Sequence, residues 1–138
     1  MAKKAAIIFG IVFILIGLLG FISNPVFGGE GALFHIDTIH NIIHIVTGIV
    51  FLLAGGAAAG VLKLFGVVYL LVAVLGFLSN TGTVLGFLIV NPADNWLYLV
   101  LGILILLAGV RGGKSASTSI SSDFPSNPSQ DGMPGGMA

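Results

Sequence analysis

The chain has 138 residues, of which 57% are hydrophobic and 7% charged; five basic residues balance five acidic ones, for a formal net charge of zero. So few polar side chains cannot clothe a water-soluble globule, and a mean hydropathy of +1.14 points to a lipid bilayer as the solvent. Without a basic cluster there is no footprint for nucleic acid, and without cysteine there are no disulfides, thiolate metal sites or cysteine nucleophiles.

Four apolar segments follow in chain order, at 5–22, about 38–55, 61–78 and 93–110. Each approaches the ~20 residues that a helix needs to cross about 30 Å of hydrocarbon. None alternates with a period of two, so helices are predicted rather than barrel strands, and the expected fold is an all-α, polytopic membrane four-helix bundle made of two tandem hairpins. The first segment follows Met1-Ala2-Lys3-Lys4, yet no small-x-small cleavage pattern succeeds it, and it reads as a retained span. With the N-terminus in the cytoplasm, Lys3, Lys4, Lys63, Arg111 and Lys114 all fall inside, and Glu30, Asp37 and Asp94 fall outside. That is the positive-inside bias, and it predicts a multi-pass protein of the cytoplasmic membrane, both termini inside and loops 23–36 and 79–92 outside. Residues 1–110 form the predicted membrane domain. The Ser-, Gly- and Pro-rich residues 111–138 read as a disordered cytoplasmic tail.

The sequence also repeats itself. "FGIVFILIGLLGFISN" from Phe9 matches "FGVVYLLVAVLGFLSN" from Phe65, an offset of 56, and "HNIIHIVTGIVFLLAG" from His40 matches "DNWLYLVLGILILLAG" from Asp94, an offset of 54. A duplicated hairpin is predicted, with repeat units at about 5–55 and 61–110, parallel about a pseudo-twofold axis along the membrane normal. Small residues recur every seven positions: Gly10 and Gly17, Gly48 and Gly55, Gly66 and Ala73, Gly102 and Gly109. Seven residues are close to two helical turns, so each pair lies on one face and lets backbones approach where lipid supplies no hydrophobic drive. One further step along each stripe reaches Asn24, Asn41, Asn80 and Asn95. Asn24, before Pro25, and Asn80, opening "NTGT", read as turn residues, whereas Asn41 and Asn95 lie inside helices with predicted N-caps at Asp37 and Asn91 and read as bridges between helices.

All three histidines fall within "FHIDTIHNIIHIVTG", residues 34–48. Asn41, His44 and Gly48 share the inward stripe of the second helix, with His40 one turn above His44 on its flank. His44 is therefore the predicted buried histidine. Its counterpart Tyr98 is its expected partner, and Asp94, the counterpart of His40, is the expected partner of His40. His35 reads as a loop residue. The i, i+4 spacing of His40 and His44 also suits two imidazoles on one ion, zinc or another divalent metal, with Asp94 as a third ligand. Without an intervening Glu or any Cys the spacing is a sparse signal, and no cofactor is expected; bis-histidine haem ligation would need a facing pair that one helix does not supply.

The segments "LGFISN", "HNIIHIVTG" and "DNWLYLVLG" together resemble a family of small four-span bacterial membrane proteins classed as a domain of unknown function. The resemblance covers about residues 5–110, and its hallmark is His40, Asn41, His44 and Gly48 in a His-Asn-x-x-His-x-x-x-Gly pattern. The family's second hairpin often carries a further histidine where this chain has Tyr98, a departure that counts against a site needing histidines from both halves. The resemblance implies a fold and a membrane address and brings no activity. Two classes of function follow: a structural or interaction protein whose polar cluster specifies helix pairing, or a metal- or proton-responsive protein or small transporter using His40, His44 and Asp94. No nucleophile with an adjacent base is found by spacing, so no enzyme is expected. The bilayer is the predicted surrounding, and a second copy or another membrane protein is the protein partner left open.

Overall fold

Backbone amides in hydrocarbon must find partners within their own helix. The chain forms four α-helices: α1 (Ala2–Leu19), α2 (Thr38–Leu53), α3 (Ala58–Leu78) and α4 (Pro92–Ile120), with a short 3-10 turn at Gly55–Ala57. This computed structural model describes residues 1–22, 24–28 and 30–120, with side chains as far as residue 113. Ala2–Leu19, Gly55–Leu78 and Pro92–Gly113 are each long and apolar enough to cross a membrane, while α2 is apolar but shorter at 16 residues. At 1.5 Å per residue α2 spans about 24 Å. Lipid also accounts for the many large apolar side chains left exposed around the bundle, Leu15, Leu64, Leu71 and Ile103 among them. These features fit an integral membrane protein.

The bundle is assembled from two antiparallel hairpins, α1 packing chiefly on α2 and α3 on α4, with α1 also touching α3 and α4. The buried face of α1 is Ala2, Ala6, Gly10, Phe13 and Gly17, and that of α3 is Ala58, Leu62, Gly66, Tyr69, Ala73 and Gly76. The spacing of three and four residues keeps each set on one face. Close approach needs the glycines. A Cβ on Gly48 would stand 2.7 Å from the Gly10 carbonyl oxygen, and one on Gly10 2.9 Å from that of Gly48. In the second hairpin a Cβ on Gly66 would stand 2.6 Å from the Leu106 nitrogen, and one on Gly109 2.8 Å from the Lys63 nitrogen. Gly17 lies against the Asn41 carbonyl, Gly102 against Leu70, and Ala73 is fully buried.

Two expectations are corrected. Gly55 does not extend its stripe: α2 stops at Leu53, and Gly55 turns with φ +49° and nothing within 4 Å of where a Cβ would stand. It is the left-handed residue that ends the segment. The last helix does not stop at residue 110. It runs on to Ile120, because Gly112 is buried against Ala2 and Gly113 lies beside Lys63, so close packing continues past Arg111; residues 121–138 of the expected tail lie outside the described residues. Each long loop also carries a two-residue ladder, β1 (Phe27–Gly28) with β2 (Phe34–His35), and β3 (Thr83–Val84) with β4 (Leu88–Ile89).

The β3–β4 turn holds a strained residue. Leu85 has φ +55°, followed by Gly86 at +78°, and the leucine is 73% exposed. A side chain in the left-handed region costs about 1–2 kcal/mol, which no burial of Leu85 offsets. Leu85→Gly is therefore expected to raise the melting temperature in detergent, by up to about 1 kcal/mol of stability once the greater freedom of the unfolded glycine is counted. A lower melting temperature would mean that the leucine is held by contacts outweighing the strain.

Candidate functional site

The polar residues gather at the end of the bundle that carries the two long loops, and capping begins the assembly. Asp37 accepts a hydrogen bond from the His40 amide at 2.8 Å, as an N-cap does. At the start of α4 the arrangement is reciprocal: Asn91 Oδ1 accepts from the Asp94 amide at 2.9 Å, and Asp94 Oδ2 accepts from the Asn91 amide at 2.8 Å. Asp94 Oδ2 also accepts from the His35 amide at 3.2 Å, and Asn91 Nδ2 donates to the Leu33 carbonyl at 3.0 Å. The first residues of α4 thus tie the first hairpin's loop to the second hairpin.

Deeper in, aromatic and imidazole rings fill the centre. His40 and His44 stack with centroids 4.8 Å apart and planes within 9°. His44 lies 5.3 Å from the Phe13 ring, Phe13 meets Tyr69 edge-on at 5.3 Å, and Tyr69 meets Tyr98 at 5.8 Å. His44 Nδ1 donates to the His40 carbonyl at 3.1 Å; a carbonyl only accepts, so the hydrogen sits on Nδ1. The Tyr98 hydroxyl is hydrogen-bonded to His40 Nε2, joining the first hairpin to the second.

The predicted pairs are thereby re-dealt. His40 is as buried as His44, not on an open flank, and Tyr98 bonds His40 rather than His44. Helical side chains lean toward the N-terminus, and a tyrosine is long, so the Tyr98 hydroxyl ends level with the turn above its own Cα. His40 does not pair with Asp94, whose carboxylate is taken by the amides of Asn91 and His35. Among the described residues no group of three or more His, Cys, Asp or Glu side chains is placed to hold a metal ion, so the structure does not assemble His40, His44 and Asp94 as ligands of one ion.

Asn41 and Asn95 are both buried, each pressed on a glycine of the partner helix: Asn41 on Gly20 and Asn95 on Gly76, so closely that a Cβ on either glycine would overlap the amide. Gly20 and Gly76 were missed by the spacing of seven. They are the glycines of "LGFISN" and "LGFLSN", and the matching of those two segments was the signal that pointed to them. Asn24 caps its own loop, accepting from the amides of Val26 at 3.0 Å and Phe27 at 2.7 Å. Three buried side-chain atoms have no hydrogen-bond partner among the described residues, Oδ1 of Asn41 and of Asn95 and Nε2 of His44, while the buried Tyr69 hydroxyl lies beside the Thr47 side chain.

A cavity of about 180 Å³ lies against this cluster between α2 and α3, lined by His40, His44, Thr47, Tyr69 and Tyr98 and roofed by the β3–β4 turn. Comparison with curated proteins gave no match, and comparison with solved structures gave none. Comparison with protein families matches residues 3–111 to a domain of unknown function, DUF4383, a stretch that runs through all four helices and includes every residue of the cluster. The chain belongs to the DUF4383 family.

Proposed function

We propose that this chain is a structural or interaction protein of the cytoplasmic membrane, an internally duplicated helical hairpin that crosses four times with both termini inside and catalyses no reaction. Its His, Asn and Tyr cluster lies at the outer side and fixes how the two hairpins pair. The observation that carries this reading is the bond between His40 and Tyr98, which spends the polar groups of one hairpin on the other. Duplication is supported by buried positions that stand 56 residues apart in α1 and α3, and 54 apart in α2 and α4, as with Phe13 and Tyr69 or His44 and Tyr98. Orientation is supported by Lys3, Lys4, Lys63 and Arg111, which cluster at the end where Ala2 meets Gly112, opposite the end that holds Glu30, Asp37 and Asp94. A second copy or another membrane protein is the partner class for the apolar flanks.

A double-mutant cycle tests the pairing role. His40→Ala, Tyr98→Phe and the combination are melted in detergent, and a coupling of about 0.5–1.5 kcal/mol is expected, the range for hydrogen bonds between membrane helices. Additive effects would remove the bond from the account.

A further inference from the structure

Three glycines, Gly109, Gly112 and Gly113, stand within five residues of α4, although glycine weakens a helix. Each admits a neighbouring helix. A Cβ on Gly109 would stand 2.8 Å from the Lys63 nitrogen and 2.9 Å from its Cγ, and one on Gly113 would stand 3.1 Å from the Lys63 Nζ. The lysine therefore runs along α4 for one turn, its stem against Gly109 and its ammonium beside Gly113. A Cβ on Gly112 would overlap Ala2, so the start of α1, with Lys3 and Lys4, is drawn to the same turn. Arg111 belongs to that turn itself. Lys3, Lys4, Lys63 and Arg111 are all exposed.

The gathered charge has no counterweight at this end. Among the described residues the side-chain carboxylates are Glu30, Asp37 and Asp94, and all three lie at the far end of the bundle. The repeat does not account for the cluster either. The first-hairpin position of Lys63 is Ile7, and that of Gly109 is Gly55, where α2 has already ended, so the first hairpin has no helical turn equivalent to residues 109–113. Basic residues on one side of the membrane would satisfy the positive-inside bias without a lysine laid along two glycines of the next helix. The cations also stand where apolar strips end. One turn from Lys63 on the same face is Val67, and one turn from Arg111 is Leu107, both exposed. Charge at the helix ends with hydrocarbon along the flanks is the pattern that a phospholipid complements, and four cations around one turn exceed what a single phosphate neutralises.

We propose that residues 109–113 of α4, with Lys63 and the start of α1, form a binding site for an anionic phospholipid carrying two phosphates, diphosphatidylglycerol, its headgroup on the four cations and its chains along α3 and α4. The site rests on this cluster and not on the bond between His40 and Tyr98 or on the orientation in the membrane, so it stands or falls separately from the pairing role. The test titrates the full chain in detergent with diphosphatidylglycerol, and with phosphatidylcholine as the lipid without net charge, reading the melting temperature and the lipid retained in native mass spectra. Diphosphatidylglycerol is expected to raise the melting temperature and to stay bound at concentrations where phosphatidylcholine does neither. Lys63→Gln combined with Arg111→Gln keeps polar side chains at exposed positions, so the helices stay packed, and it should weaken the affinity about thirtyfold, the loss of two cations near a lipid surface. Glu30→Gln, at the far end, is the control and should leave the affinity unchanged. Equal responses to the two lipids, or a double variant that binds as tightly as the parent, would overturn the site. A response that emerges only with Asp123→Asn and Asp131→Asn together would overturn it as well, giving the cluster to the chain's own carboxylates.

Discussion

Gly66→Leu is expected to separate α3 from α4, and Gly48→Leu to separate α1 from α2, each lowering stability by about 3 kcal/mol. The reason is the identity of the atoms in the way. A Cβ on Gly66 would stand 2.6 Å from the Leu106 nitrogen and 2.7 Å from its Cα, and one on Gly48 would stand 2.7 Å from the Gly10 oxygen and 3.0 Å from the Ile14 nitrogen. Backbone cannot swing aside as a side chain can, so the helices must part. In lipid or detergent the leucine gains little by burial to set against the lost contacts, because the surroundings are as apolar as the interface. Ile49→Leu and Ile103→Leu, at exposed positions one residue from Gly48 and Gly102, are the controls and should change stability by less than about 0.5 kcal/mol. Melting in detergent checks both sets, and similar losses at glycine and isoleucine positions would show that the small-residue faces are not the contacts.

Phe13→Ala should be comparably damaging for the opposite reason. Phe13 is fully buried and touches three rings at once, meeting Tyr69 edge-on at 88°, Phe51 at 78° and the tilted His44 ring. Removing such a side chain from a core costs about 3–5 kcal/mol, part of it transfer free energy and part the cavity left behind. Lipid mutes the transfer part, so about 3 kcal/mol is expected, with the broken edge-to-face contacts as its main component. Val12→Ala, next in the chain but turned to the outside, is the comparison and should cost less than about 1 kcal/mol. If the two variants melt alike, the aromatic centre is not what holds the hairpins together.

The periodic part of this protein was legible and the local part was not. Spacings of three, four and seven put Gly10, Gly48, Gly66 and Gly102 on interior faces, because helical geometry converts sequence distance directly into direction. Asp37 and Asn91 were readable as N-caps, since few residue types satisfy an open helix end. Gly55 was misread because a stripe is meaningful only while the helix lasts, and the doubled glycine of "LAGGAAA" ends it. Spacing gives the face a residue shares but not the height at which side chains from two helices meet, so Tyr98 was assigned to His44 and reaches His40. Asp94 was matched with His40 by position, whereas a carboxylate three residues after Asn91 is captured by the backbone it caps. The cavity left no trace in the sequence, because it arises from two helices that stay apart.

Whether α2 crosses the membrane decides the whole arrangement, since at 16 residues it is the shortest of the four helices. Single cysteines at Glu30, Gly56, Gly86 and Ser115 of the cysteine-free chain, reacted in intact cells with a maleimide that cannot cross the membrane, answer this directly. Four spans with cytoplasmic termini predict labelling at 30 and 86, and none at 56 and 115 until the cells are opened. Labelling at position 56 from outside would mean that α2 fails to cross, and labelling at 115 would place the C-terminal end of α4 outside; either result would contradict two parallel hairpins with their polar cluster at the outer side.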